Sequence, residues 1–244
     1  NVFTKKEIED ALAEPLNATR GTVPHYLPHL SYKLKKQAGS SVSHSIIKTT
    51  INLNTQLKTE KLVEDYIRTQ RQVNGANAVR QPGSTLKPLL YAMCFDEGLL
   101  TPKTIMTDVA VNYNGYTPEN YDEKFNGYVT VEYALEHSLN IPAVKGLKML
   151  GHEKMIQKLS NCNFKQIQKD RGKLGLSLIL GGCGTTLEEL TGLFSSFAND
   201  GVYIAPSFTQ NETNNTKVTV ASPAANYMIN EILSKINRPD FPLN

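Results

Sequence analysis

Several features that define common classes of protein are missing from this chain of 244 residues. It has no apolar run near the roughly 18 residues that a membrane-spanning helix requires, and no signal peptide at its start. Its net charge is only +3 and is spread along the chain, which indicates neither nucleic acid nor a membrane surface as a partner. The three cysteines, Cys94, Cys162 and Cys183, lack C-x-x-C spacing. We therefore expect small apolar side chains or free thiols, and neither a disulfide framework nor a metal site.

Further absences concern the organisation of the chain. It contains no internal repeat, no low-complexity tract and no metal-ligand spacing among its five histidines. Its apolar content of 40% and charged content of 20% are ordinary for a globular protein. The length allows one large domain, or a domain with an appendage. The first residues read as the middle of a longer protein, and a serine-rich break over residues 39–45 predicts a linker.

The most informative feature that is present is Ser84-Thr-Leu-Lys87, preceded by Gln-Pro-Gly. The pattern predicts a buried helix over residues 84–99, with a hydroxyl nucleophile in its first turn and an amine on the same face. A second match to this pattern begins at Ser45, in a strand predicted to run to residue 53, where the two side chains would point to opposite faces. An alternative stays open on this motif alone, in which Ser84 only caps a helix and Lys87 is solvated.

A second hydroxyl, paired with an amide, follows in Ser138-Leu-Asn140, near the end of a helix predicted over residues 129–139. A serine hydroxyl can pass a proton between a neutral lysine and a leaving amine, and an asparagine amide can hold both the lysine and a substrate carbonyl. The alternative is a helix end that Asn140 caps. As a base, Lys87 must be neutral, so burial would have to lower its pKa from about 10.4.

Elsewhere the pattern alternates between helices and breaks. Thr186 with Glu189 forms a capping box that predicts a helix ending near Phe197. Three further helices are predicted over residues 55–70, 141–150 and 227–236, and an extended segment over residues 203–206.

Taken jointly, several stretches resemble motifs of the class A penicillin-binding proteins. The similarity runs from about residue 46 to the end, and two stretches, Phe-Asp-Glu-Gly-Leu from residue 95 and Arg-Pro-Asp-Phe-Pro from residue 238, resemble one subgroup of that family most closely. The four stretches that match the family's motifs are Pro82-Gly-Ser-Thr-Leu-Lys-Pro88, Tyr116-Thr-Pro-Glu-Asn-Tyr121, Ala134-Leu-Glu-His-Ser-Leu-Asn-Ile-Pro-Ala-Val144 and the segment over residues 180–201.

The resemblance implies an α+β fold of the penicillin-binding and β-lactamase-like serine transpeptidase type, in which helices pack on an antiparallel sheet. It implies that Ser84 is the acylated nucleophile, Lys87 the general base, Ser138 the proton shuttle and Asn140 the second motif's amide. No metal or organic cofactor is expected. The implied partners are peptidoglycan stem peptides, with β-lactam antibiotics as covalent inhibitors.

The resemblance also predicts how the chain is divided. Residues 1–45 resemble the link that follows the family's glycosyltransferase domain, and residues 46–244 a transpeptidase domain without its C-terminal part. The family's third motif, Lys-Thr-Gly, does not occur in the sequence, and the further core strands that the family carries after Asn77 have no match. A membrane anchor is expected only in a missing N-terminal part, which would hold the protein at the extracytoplasmic, periplasmic face of the bacterial inner membrane.

The function expected from this resemblance is that of a D,D-transpeptidase, which cross-links stem peptides through an acyl-enzyme on Ser84. Two alternatives stay open. A D,D-carboxypeptidase or β-lactamase-type hydrolase would use the same first motif with water as acceptor. An inactive binding or scaffolding module would keep the fold alone, and the absent Lys-Thr-Gly favours that alternative.

Overall fold

The computed structural model describes residues 49–66, 75–207 and 216–235, together with Leu30 and Leu34. The chain divides into two units, Asn1–Ile46 and Ile47–Asn244, and the three described ranges all lie in the second. The linker predicted up to residue 45 and the second Ser-x-x-Lys match lie outside the described residues.

The described part is mainly helical, with short strands between the helices. Three 3-10 turns span Gly83–Leu86, Arg171–Lys173 and Leu176–Leu180. The strands are β1 (Ile105–Asp108), β2 (Gly127–Thr130), β3 (Val202–Ile204) and β4 (Lys217–Thr219). The α-helices are α1 (Leu53–Tyr66), α2 (Lys87–Asp96), α3 (Val131–Glu136), α4 (Asn140–Leu150), α5 (His152–Asn161), α6 (Lys165–Asp170), α7 (Leu187–Phe197) and α8 (Pro223–Ser234).

Within the described ranges the strands form two antiparallel pairs. In the first, β1 lies against β2, with Ile105 opposite Thr130 and Asp108 opposite Gly127. In the second, β3 pairs with β4. The first pair matters for the site, because β1 leads away from α2 and β2 runs directly into α3.

Helix α2 forms the centre of the core. Every residue from Lys87 to Phe95 is buried, and a helix that is apolar on all sides can be stable only inside the protein. It packs against α4 and α8, while α4 also contacts the 3-10 turn Leu176–Leu180. The predicted buried helix is therefore confirmed, although its α-helical part starts at Lys87. Lys87 is the one charged residue among these buried positions of α2.

Several helix ends follow from local capping, and the predicted starts of α1, α3 and α8 are wrong. Helix α3 begins at Val131, after β2, because the Thr130 side chain accepts the backbone N–H of Tyr133. The Thr186–Glu189 capping box is confirmed at the start of α7, which ends at Phe197 as predicted. Helix α1 begins at Leu53, inside the predicted strand, because the Asn52 side chain accepts the backbone N–H of Thr55. Helix α8 begins at Pro223, earlier than predicted, because the Ser222 side chain caps it. Helices α5 and α6 were not predicted.

The segment that precedes the Ser84 motif contains little regular structure. Residues 75–78 form a turn, and Arg80 then makes a single antiparallel bridge with Thr185. In this bridge the Arg80 amide donates to the Thr185 carbonyl at 2.8 Å, and the Thr185 amide donates back at 2.9 Å. Among the described residues, no strand lies between Gly75 and Gly83.

Candidate active site

Ser84 lies in a 3-10 turn and not in the first turn of an α-helix, which corrects the sequence prediction. The turn forms because Thr85 donates both its backbone N–H and its hydroxyl to the Pro82 carbonyl, and because Gly83 takes a φ of +58° that disfavours other residues. In a 3-10 turn, side chains three residues apart eclipse each other. Ser84 and Lys87 therefore still share a face, and Ser84 is half-buried.

The turn is held from one side by the backbone of Gly181. A Cβ atom placed on Gly181 would lie 2.7 Å from the Gly83 nitrogen, so no larger residue could sit this close. Gly181 also has a φ of +94°, in the left-handed region. Glycine is thus required at position 181 for two reasons, the left-handed backbone conformation and the close contact with Gly83, the residue before Ser84.

Lys87 is 1% exposed, and among the described residues its amine forms hydrogen bonds only with the second motif. Its Nζ lies 2.6 Å from the Ser138 carbonyl oxygen, 2.7 Å from Asn140 Oδ1 and 3.2 Å from Ser138 Oγ. No carboxylate in the described part of the chain forms an ion pair with it. Burial lowers the pKa of Lys87 from 10.5 to about 7, so that a large share of the side chain is neutral near neutral pH.

The sequence predicts Ser138 and Asn140 near the C-terminal end of one helix, but Ser138 lies between two helices and Asn140 begins the second of them. Helix α3 stops at Glu136, Ser138 takes a left-handed φ of +53°, and Asn140 is the first residue of α4. This reversal turns both the carbonyl and the hydroxyl of Ser138 towards Lys87. A C-terminal cap by Asn140, the alternative considered from sequence, is wrong because this residue starts a helix.

The side-chain amide of Asn140 is oriented by its neighbours. Its Nδ2 donates to the Glu119 carbonyl at 2.7 Å, which leaves Oδ1 to face Lys87. Its backbone N–H donates to Asn120 Oδ1 at 2.8 Å. Asn120 was overlooked from sequence, although it lies in the recognised Tyr-Thr-Pro-Glu-Asn segment. Asp108, to which Asn120 donates, has no sequence signal of its own.

Other candidate groups lie apart from this cluster or are inert. His137 is exposed and stacks on Tyr133, with the ring centroids 3.9 Å apart. The three cysteines are buried free thiols, and burial raises the pKa of each to about 12. An open groove of about 600 Å³ between β1 and α4 contains none of the four predicted site residues.

The described residues form neither a metal-binding cluster nor a membrane-spanning helix. No group of three or more His, Cys, Asp and Glu side chains is arranged there to hold a metal ion. Among the same residues, no helix combines the length and the apolar character needed to cross a membrane.

Comparison with known proteins decides the family. The family model described as the penicillin binding protein transpeptidase domain matches residues 44–239. The chain belongs to this family. The assignment to class A penicillin-binding proteins is confirmed, and the fold expected from sequence is confirmed with it.

One of two curated relatives belongs to the subgroup that the sequence indicated. Penicillin-binding protein 1C of Escherichia coli (strain K12) is 28% identical over 233 residues, covering 82% of this chain and 30% of that protein. Penicillin-binding protein 1F of Bacillus subtilis (strain 168) is 38% identical over 147 residues, covering 59% of this chain and 20% of that protein. The chain thus spans less than a third of the length of these relatives.

A solved structure supports the fold. PonA1 from Mycobacterium tuberculosis, determined in complex with penicillin V, superposes with a TM-score of 0.72 at 15% identity, covering 86% of this chain and 69% of that chain. The likeness at this identity concerns the fold alone.

Proposed function

We propose that this chain is part of a peptidoglycan D,D-transpeptidase in which Ser84 forms an acyl-enzyme with the penultimate D-Ala of a stem peptide. The observation that carries the proposal is the buried amine of Lys87, which is bound by Ser138 and Asn140 and has a pKa of about 7. A lysine of this kind is poised to act as a base at neutral pH.

The hydrogen bonds of Lys87 fit this role in its neutral form. A neutral amine has two N–H donors and one lone pair. The two shortest contacts, to the Ser138 carbonyl and to Asn140 Oδ1, can take both hydrogens. The lone pair is then available to a hydroxyl, and Ser84, one 3-10 turn earlier on the same face, supplies the proton that Lys87 removes as the oxygen attacks the D-Ala-D-Ala carbonyl.

The tetrahedral intermediate needs donors for its oxyanion and a proton for its leaving group. The Ser84 amide lies at the start of the 3-10 turn Gly83–Leu86, where backbone N–H groups have no partner within the turn, and can contribute to an oxyanion hole. Ser138 Oγ lies 3.2 Å from Lys87 Nζ and can pass the proton to the departing D-Ala amine.

In the second half of the reaction, an amine from a neighbouring stem peptide attacks the acyl-enzyme and forms the cross-link. β-Lactams would acylate Ser84 in the same way and leave slowly, and the chain's membership in the penicillin binding protein transpeptidase family supports this. For the whole protein, we propose the extracytoplasmic location expected from sequence, with residues 1–45 as a link to a glycosyltransferase domain.

Intact mass after incubation with a penicillin tests the proposal, on this chain and on Ser84→Ala. We expect a stable adduct of one penicillin on the wild type and none on the variant, with circular dichroism showing that both are folded. Rapid turnover of the β-lactam without a lasting adduct would favour the hydrolase. A folded wild-type chain that gives neither adduct nor turnover would favour the inactive module.

A further inference from the structure

A buried carboxylate lies next to the site, and the proposed chemistry does not use it. Asp108, the last residue of β1, is 0% exposed. A buried charge is costly unless it is paired or fully hydrogen-bonded. No ion pair to Asp108 is found among the described residues, and the nearby ammonium of Lys145 donates to Thr107 instead. The carboxylate is therefore held by neutral donors.

Those donors come from two asparagines of the loop between β1 and β2. Asn120 Nδ2 lies 2.9 Å from each carboxylate oxygen of Asp108. Asn126 donates its backbone N–H at 3.0 Å and its Nδ2 at 2.7 Å to Asp108 Oδ2. Both asparagines thus donate to the same carboxylate, so the effects of substituting them can be compared directly.

Asp108 fixes which way round the Asn120 amide lies. A carboxylate only accepts hydrogen bonds, so the Nδ2 end of the amide must face it. The carbonyl of Lys124 accepts from the same Nδ2 at 2.8 Å, which reinforces this orientation. The oxygen end of Asn120 is left pointing at the backbone N–H of Asn140, 2.8 Å away.

Asn120 and its neighbour Glu119 together hold Asn140 at two points. The N–H of Asn140 is in the first turn of α4, where it has no partner within the helix, and Asn120 supplies the acceptor. The Glu119 carbonyl accepts the side-chain Nδ2 of Asn140 and turns its Oδ1 towards Lys87. In the described part of the chain, the hydrogen bonds of Asn126 go to Asp108 and none joins it to Asn140.

We propose that Asp108 and Asn120 are positioning residues for the acylation of Ser84. The Asp108 carboxylate orients Asn120, Asn120 places Asn140, and Asn140 sets the position of the Lys87 amine. This inference rests on the proposed function, because it assigns the cluster a role in that reaction.

The test compares Asn120→Ala with Asn126→Ala. Both variants remove donors from the Asp108 carboxylate, but only the first removes a contact to Asn140. The measured quantity is the second-order rate constant for acylation by a fluorescent penicillin, at matched folded fraction. We expect Asn120→Ala to lower it about ten- to a hundredfold, as for a buried acceptor that is lost, and Asn126→Ala to change it less than about threefold.

A second readout does not depend on activity. Carbon-13 NMR of the lysine ε-methylene groups, with Lys87 assigned from its loss in Lys87→Met, gives the titration midpoint of the amine. We expect Asn120→Ala to lower that midpoint by about half a pH unit or more, because a displaced Asn140 no longer stabilises the charged amine. We expect no change in Asn126→Ala.

Two results would overturn the inference. One is wild-type acylation together with an unchanged Lys87 midpoint in Asn120→Ala. The other is an equal fall of the acylation rate constant in both variants, in proportion to the fall of their melting temperatures. A purely structural role predicts that result. If the wild-type chain itself is not acylated, the proposed function fails, and the Lys87 midpoint alone then decides on positioning.

Should Asn120→Ala be unfolded, Asp108→Asn carries the same two measurements. An amide at this position can present N–H groups to Asn120 and let it turn round, which would direct a donor at the Asn140 N–H. The expected changes have the same direction as for Asn120→Ala, and wild-type values in folded Asp108→Asn would overturn the inference.

Discussion

At the scale of single residues, Lys87 combines two properties that rarely coincide, full burial and the absence of a carboxylate partner within the described residues. Its pKa of about 7 predicts how acylation depends on pH. Only the neutral amine can accept the Ser84 proton, so the rate should rise with pH through about 7 and fall about tenfold per unit well below it. Stopped-flow acylation between about pH 5 and pH 9 measures this. A rate that stays level across that range would contradict it.

The same burial makes Lys87 costly to the folded state. Because its pKa is about 7 when folded and near 10.5 when unfolded, the unfolded chain binds more protons between these values, and stability rises with pH across that window. Below about pH 7 the full cost of the buried charge is present. We expect Lys87→Met to abolish acylation and to raise the free energy of unfolding by about 2 kcal/mol at pH 6.

The control is the pH dependence of the increase in the free energy of unfolding that Lys87→Met causes. The advantage of Lys87→Met should shrink by about 2 kcal/mol or more between pH 6 and pH 9, because the wild-type lysine becomes neutral in the folded protein. Urea unfolding at the two pH values measures both differences. An equal gain at both would show that the Lys87 amine is not desolvated in the folded state.

At the scale of elements, the site depends on two turns that meet backbone to backbone. Gly181→Ala would place a Cβ atom 2.7 Å from the Gly83 nitrogen and force a non-glycine residue to a φ of +94°. We expect a loss of about 2–4 kcal/mol in the free energy of unfolding and slower acylation of the remaining folded protein, because the turn that carries Ser84 must shift. Denaturant unfolding and the acylation rate measure the two effects.

Gly172→Ala is the matched control for that variant. Gly172 lies within the 3-10 turn Arg171–Lys173, but a Cβ atom there meets nothing within 4 Å and its φ is not in the left-handed region. We expect stability and acylation close to the wild type. If Gly181→Ala behaved like Gly172→Ala, the contact between the two turns would have no part in holding Ser84.

Helices and turns could be predicted where residues close together in the sequence determine them. The Thr186–Glu189 capping box and the apolar run after Lys87 are encoded in adjacent residues, and both were predicted correctly. The left-handed Ser138 was misread, since a hydroxyl residue beyond a helix gives no sequence sign of φ. Asp108 and Asn120 were missed because their roles arise from contacts across a loop, which no periodicity records.

At the scale of the whole molecule, the three cysteines report on the integrity of one hydrophobic core. Cys94, Cys162 and Cys183 all belong to the same buried cluster, and burial raises the pKa of each thiol to about 12. The thiolate is the reactive form, so alkylation by iodoacetamide at pH 8 should be about a thousandfold slower in the folded protein than in denaturant.

The order in which the three thiols are alkylated then tests whether the hydrophobic core unfolds cooperatively. If the cluster unfolds cooperatively, the three thiols should become reactive at the same urea concentration, as peptide mass mapping after timed labelling would show. Cys183 is the informative site, because it lies two residues after Gly181, which supports the Ser84 turn. Earlier labelling of Cys183 alone would contradict a single cooperative core and would place a local opening beside the nucleophile.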